Sequence, residues 1–199
     1  HRRKSMMKLR FVVGFIILIL FSGLAFYHYG KFLPIFTPTH KPLSAQVIEQ
    51  LNQTKPVTSI EVFKSQRLLQ LKHQDEVIRS YPIRLGFNPI GHKQFEGDGK
   101  TPEGTYSIDW RNSQSAYYKS LHISYPNQND LAFAKQQHQS TGGDVMIHGT
   151  VPTWAASLPS SATYIPRKDW TLGCIAVTNS DMDEIWALVS NHTKINIHP

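Results

Sequence analysis

An unbroken apolar run, Phe11 to Tyr27 (FVVGFIILILFSGLAFY), contains no charged residue and follows a segment carrying Arg2, Arg3, Lys4, Lys8 and Arg10. Helical rise of about 1.5 Å per residue makes that run roughly 25 Å long, close to the hydrocarbon thickness of a bilayer. It has no polar face, so it cannot lie half-exposed on a soluble core. The basic flank orients the segment with its N-terminus in the cytoplasm and the following chain outside. A cleaved signal peptide is the alternative, with Gly23 and Ala25 as the small residues of a cleavage site. Phe26 and Tyr27 continue the apolar run past that site, which favours an uncleaved anchor. The chain therefore reads as a single-pass protein of the cytoplasmic membrane. Residues 1–10 form a basic cytoplasmic flank and 11–29 the anchor.

The formal net charge of +7 is a property of that flank. From residue 28 onward 16 Lys and Arg face 14 Asp and Glu, a balance of +2, and no acidic residue precedes Glu49. A nucleic-acid binder would carry its basic surplus in the folded domain, so that class is excluded.

Lys31 to Pro42 (KFLPIFTPTHKP), with Pro34, Pro38 and Pro42, reads as a stiff extended spacer. Leu43, Val47, Ile48 and Leu51 fall at helical spacing, and Pro56 ends that helix, so 30–56 reads as linker plus short helix. Beyond it the signal turns to strand. IEVF, RLLQL and EVIRSYPIRL are joined by turn-like KSQ and KHQD, and TYSIDW, LHISY, VMIH and KINIH follow. Asp130 is placed as the cap of a helix through Gln137, and Ser180 with Asp183 as the capping box of another. The reading for 57–199 is a mostly β, α+β domain with a few short helices.

The chain's single cysteine lies in DWTLGCIAVTN, Asp169 to Asn179. A lone cysteine cannot form an internal disulfide, and free cysteine often serves as a small buried hydrophobe. Its surroundings favour chemistry. Gly173 lets a substrate approach the backbone, consecutive amides at Gly173 and Cys174 could face an oxyanion, and Thr171 adds a hydroxyl. Upstream lies IHGT, with His148 at the end of an apolar run and Gly149 and Thr150 after it. A thiol needs such a base or ion-pair partner to act near neutral pH. A zinc peptidase is disfavoured, because no HExxH or HxxEH is present.

These residues resemble the L,D-transpeptidase catalytic domain, the YkuD-like group of bacterial peptidoglycan enzymes. The family pattern of His, then Ser/Thr-x-Gly-Cys, then Asn reads here as IHGT, TLGC and Asn179. PIRLGFNPIGHKQFEGDGKTPEGTYSI (82–108) and SLHISYPNQND (120–130) resemble further family segments, and the match runs in order over about residues 57–199.

The resemblance implies a β-sandwich-type fold and a cysteine acyl transfer on peptidoglycan tetrapeptide stems, needing no metal or organic cofactor. Cys174 would be the nucleophile and His148 the base, held by an oxygen of Gly149 or Thr150. The amides of Gly173 and Cys174 would form the oxyanion hole. An amine acceptor, a second stem or a wall-linked protein, would resolve the thioester; water would make the enzyme a hydrolase. A domain that binds peptidoglycan without turnover is the non-enzyme alternative. Many members carry arginine where this chain has Ala176, and Arg167 with Lys168 could supply that charge instead. Asn179 and Tyr125 are further candidate substrate contacts, and Tyr117, Tyr118 and Trp154 could line a peptide groove. The glycine-rich GDGKTPEG reads as a structural loop near the active face.

Overall fold

A computed structural model describes residues 2–29, 41–152 and 164–199. Most of the predicted spacer and Trp154 lie outside the described residues. Helix α1 (Arg2–Tyr29) contains the apolar run; from Val12 to Tyr29 it is long and apolar enough to cross a membrane, and none of that stretch is buried. A signal sequence has the same properties.

The rest is an α+β domain dominated by one sheet. Alternation builds it: in β1 (Ser59–Phe63) Ile60 and Val62 face inward, and in β2 (Leu68–His73) Leu69 and Leu71 do so. β3 (Glu76–Pro82) completes an antiparallel meander through the two predicted turns. β4 (Gly104–Ser115), β5 (Tyr118–Ile123), β6 (Met146–Gly149), β7 (Ile175–Val177) and β8 (Lys194–His198) complete the order β3-β2-β1-β8-β4-β5-β6-β7.

The sheet folds over at β4. Its first four residues pair with β8, and the remainder, interrupted by two irregularities, pairs with β5. One strand thus serves both halves, and their inner faces enclose Ile60, Tyr81, Ile108, Leu121, Ile147 and Ile175. Each fully buried aliphatic side chain contributes about 1.5–3 kcal/mol relative to exposure. The two outer edges also meet. Just beyond β3, Arg84 exchanges two 2.8 Å backbone hydrogen bonds with Ala176 of β7, and Gly86 bridges Thr171. This closure brings the segment after β3 against the chain around Cys174.

Among the described residues, three helices flank the sheet: α2 (Ala45–Thr54), α3 (Gln128–Gln136) and α4 (Asn179–Leu188). Both predicted caps fall elsewhere. Asn127 caps α3, with Asp130 as the reciprocal member of its capping box, and Thr178 caps α4 through the Asp181 amide. Helix α2 packs on the domain: Leu43, Ile48 and Leu51 lie against the core, and Asn52 donates to Ala187 O at 3.2 Å.

Candidate active site

Residues 169–174 form no regular strand, and their backbone turn is tied by one side chain. Thr171 Oγ1 accepts from the Gly173 amide at 3.1 Å and donates to Cys174 O at 2.7 Å. Gly173 has φ +142°, and a Cβ there would stand 2.7 Å from Lys100 O, so only glycine fits. Gly86 is equally constrained, since its Cβ would lie 2.1 Å from Gly99 O. The GDGK loop is therefore packed directly behind the turn. Asp98 organises that loop by accepting from three backbone amides and from the buried Lys93 ammonium at 3.0 Å.

His148 stands on β6, in register with Ala176 of β7. Its Nδ1 lies 2.6 Å from Gly149 O. A carbonyl can only accept, so Nδ1 carries the proton and Nε2 of the neutral ring has a free lone pair. Tyr117 and Trp170 hold the ring, with centroids 5.2 and 5.8 Å away. Burial in this setting pushes the His148 pKa below its usual 6.5, against the Gly149 hydrogen bond.

The half-buried Cys174 thiol lies 3.5 Å from Asp144 O. Burial pushes its pKa above the usual 9.0, with Asp144 adding to the rise and a Met146 backbone hydrogen bond and Lys93 opposing it. Cys174 and His148 line one cleft of about 350 Å³ together with Tyr117, Met146, Trp170 and Leu172. Leu172 is 76% exposed and forms an apolar lip. A base with an open nitrogen and a protonated thiol on one small, largely apolar cleft can transfer an acyl group through sulfur.

A family model for the YkuD L,D-transpeptidase catalytic domain matches residues 58–197. The chain belongs to the YkuD family. Over 156 residues this YkuD domain is 34% identical to "Putative L,D-transpeptidase YafK" of Escherichia coli (strain K12), covering 75% of the chain and 53% of that protein. The chain thus spans about half the length of the curated relatives it matches. The crystal structure of the helical cell shape determining protein Pgp2 from Campylobacter jejuni gives a TM-score of 0.53 at 23% identity, over 72% of this chain and 48% of that one. That likeness shows the shared fold. The structure of Bdellovibrio bacteriovorus Bd1075 aligns at a TM-score of 0.48 and 24% identity, over 73% and 49% of the two chains.

Within the YkuD domain the candidate site residues separate into three groups. Cys174, His148 and Thr171 line the cleft. Gly149, Thr150 and Gly173 support it: Gly149 O holds His148, a Gly149 Cβ would stand 2.5 Å from Asn179 Oδ1, and Thr150 Oγ1 donates to Val177 O at 2.6 Å. The remaining candidates lie elsewhere. Asn179 is buried with its amide on the backbone of Val151, too committed to meet a substrate. Tyr125 is 2% exposed, its hydroxyl turned to Lys93 O and Thr141 O in the core. Arg167 lines a different cleft.

Two further expectations need correction. The Gly173 amide already donates to Thr171, which leaves the Cys174 amide as the candidate oxyanion donor. Of the aromatic residues expected in a groove, Tyr117 lines the cleft, whereas the Tyr118 hydroxyl donates to Asp183 at 2.9 Å. Trp170 escaped the sequence reading. The available signal was an aromatic ring immediately before the TLGC turn.

Proposed function

We propose that this domain is an L,D-transpeptidase acting on peptidoglycan tetrapeptide stems. Cys174 Sγ attacks the carbonyl of the L-centre of diaminopimelate while its proton passes to Nε2 of His148. The oxyanion accepts a hydrogen bond from the Cys174 amide. The carbon–nitrogen bond to the terminal D-alanine then breaks, His148 protonates the departing amine, and a thioester remains. An amine of a second stem or of a wall-linked protein attacks it, giving its proton to His148; the carbon–sulfur bond breaks, and the departing thiolate takes that proton back from His148. The observation that carries this reading is the juxtaposition of neutral His148, its Nε2 unblocked, and the Cys174 thiol in one cleft. Helix α1 would hold the domain to the cytoplasmic membrane, facing the wall.

The test uses the full chain in detergent micelles with disaccharide-tetrapeptide, read by mass spectrometry beside Cys174→Ala. The expected result is an acyl adduct that has lost D-alanine, followed by a cross-linked dimer, both absent from the variant. Turnover retained by Cys174→Ala would refute the mechanism. Adduct formation resolved by water alone would make the domain a hydrolase.

A further inference from the structure

A second cleft, of about 620 Å³, is lined by Arg167, Lys168 and Asp169, the residues immediately before the Trp170–Cys174 stretch that lines the first. Arg67, Arg84, Arg167 and Lys168 line it, beside Phe87, which is 55% exposed. Asp169 is the one carboxylate among its described lining residues, and it is fully engaged. Its oxygens accept from Arg67 at 2.7–3.3 Å and from the Leu85 amide at 2.9 Å.

Among the described residues, that leaves Arg84 without a direct ion-pair partner. It is 6% exposed, yet its guanidinium meets only backbone carbonyls among the described residues, Pro166 O at 2.7 Å and Ile83 O at 2.6 Å. These contacts occupy two of its five N–H donors. Burial lowers its pKa, Asp169 opposes that through space and Arg67 adds to it, and the net shift is downward, so the positive charge is incompletely compensated. The fold fixes the group nonetheless. Arg84 is bonded on both sides to Ala176, and Ala176 lies two residues, about 7 Å, beyond Cys174.

We propose that this cleft binds the free carboxylate of a peptide stem whose reacting carbonyl sits at Cys174, with Arg84 as its principal contact. The inference rests on the stem-peptide reading above. A planar guanidinium held by backbone carbonyls presents its open edge in the geometry a carboxylate accepts, while Arg167 and Lys168 draw the ligand in from solvent. Phe87 gives the aliphatic part of the stem an apolar wall. The aliphatic diaminopimelate side chain carries its carboxylate to about the length of two residues from the reacting carbonyl, which reaches from the thiol to this cleft.

The experiment titrates full-chain Cys174→Ala in detergent micelles, by calorimetry, with disaccharide-tetrapeptide, with its carboxyl-amidated form, and with inorganic phosphate. The free acid should bind about tenfold or more tightly than the amide, the loss expected for a charge-assisted pair. Adding Arg84→Gln should erase that preference. Because Arg84 is buried and this variant could misfold, Arg167→Glu with Lys168→Glu, both exposed, is the second arm and should erase most of it. Equal affinity for acid and amide overturns the proposal. Phosphate bound more tightly than either peptide also overturns it, by assigning the cleft to a phosphate-bearing ligand. Acylation of the unmutated chain is measured separately: an adduct without carboxylate preference refutes this subsite alone, and preference without an adduct refutes the transpeptidase reading.

Discussion

Two ionisable groups in one cleft are shifted in opposite directions, and this decides how they could work together. Burial lowers His148 below 6.5 and raises Cys174 above 9.0, so near neutrality both are uncharged. The pair is set up for proton transfer during attack, unlike a thiolate–imidazolium pair formed beforehand. Alkylation of Cys174 by iodoacetamide should therefore rise with a midpoint above 9, and kcat/KM should have an acidic limb below 6.5. An alkylation midpoint at or below 7 would contradict this. The His148 shift also affects stability. The unfolded chain takes up this proton near 6.5 and the folded chain only at lower pH, so the His148 contribution is intact above 6.5 and lost as pH falls. His148→Gln should flatten that part of the pH–stability curve, measured by denaturant unfolding. The cysteine was visible in the sequence because it is the only one among 199 residues, and His148 stood out among ten histidines by the glycine and threonine that follow it. The clasp of Tyr117 and Trp170 was not, since it joins a hairpin and a distant loop that no local spacing connects. Nor was the true duty of Asn179, which hydrogen-bonds across a packed interior.

At the scale of elements, one carboxylate on α4 joins three parts of the chain. Glu184 accepts from Arg79 of β3 at 2.9 and 3.0 Å, from the Tyr81 hydroxyl at 3.0 Å, and from the Leu43 amide ahead of α2 at 2.8 Å. Arg79 in turn donates to Lys41 O at 3.1 Å. Burial alone would raise the Glu184 pKa, but the hydrogen bonds from Arg79 and Leu43 outweigh it and the net shift is downward. Replacing Glu184 with alanine leaves Arg79 and Tyr81 without their partner, and about 3–5 kcal/mol of stability should be lost. Chemical denaturation would measure it, and a loss below about 1 kcal/mol would show the network to be incidental. The strands around this knot were readable from apolar alternation. The far end of β4 was not, because its residues RNSQS do not alternate. Arg111 secures it instead, stacking 4.0 Å from the Trp186 ring and donating to Val189 O. β7 has three residues, too few for any period to register. The helix caps moved by a few residues because several adjacent Asn, Thr, Ser and Asp residues compete for the same role, and only the backbone angle chooses among them.

For the molecule as a whole, the working division falls before α2. Removing residues 1–40 should yield a soluble domain with an unchanged melting temperature, whereas the full chain should sediment with membranes. Removing residues 1–56 should lower the melting temperature by several degrees, because Leu43, Ile48, Leu51 and the Leu43 bond to Glu184 are lost. Equal melting temperatures for the two truncations would show that α2 contributes nothing. The fold class was legible because it depends on the number and spacing of strands. The order of the strands was not, because pairing partners far apart in sequence leave no local trace.

That order governs when the domain can form. β8, the last strand in sequence, lies in the middle of the sheet between β1 and β4, so neither half has an interior flank until residues 194–198 arrive. A chain crossing a membrane would stay unfolded, and open to proteases and holding chaperones, until those residues had crossed. A premature stop before Lys194 would then leave two unsatisfied strand edges and a sticky, short-lived fragment in place of a weakened enzyme.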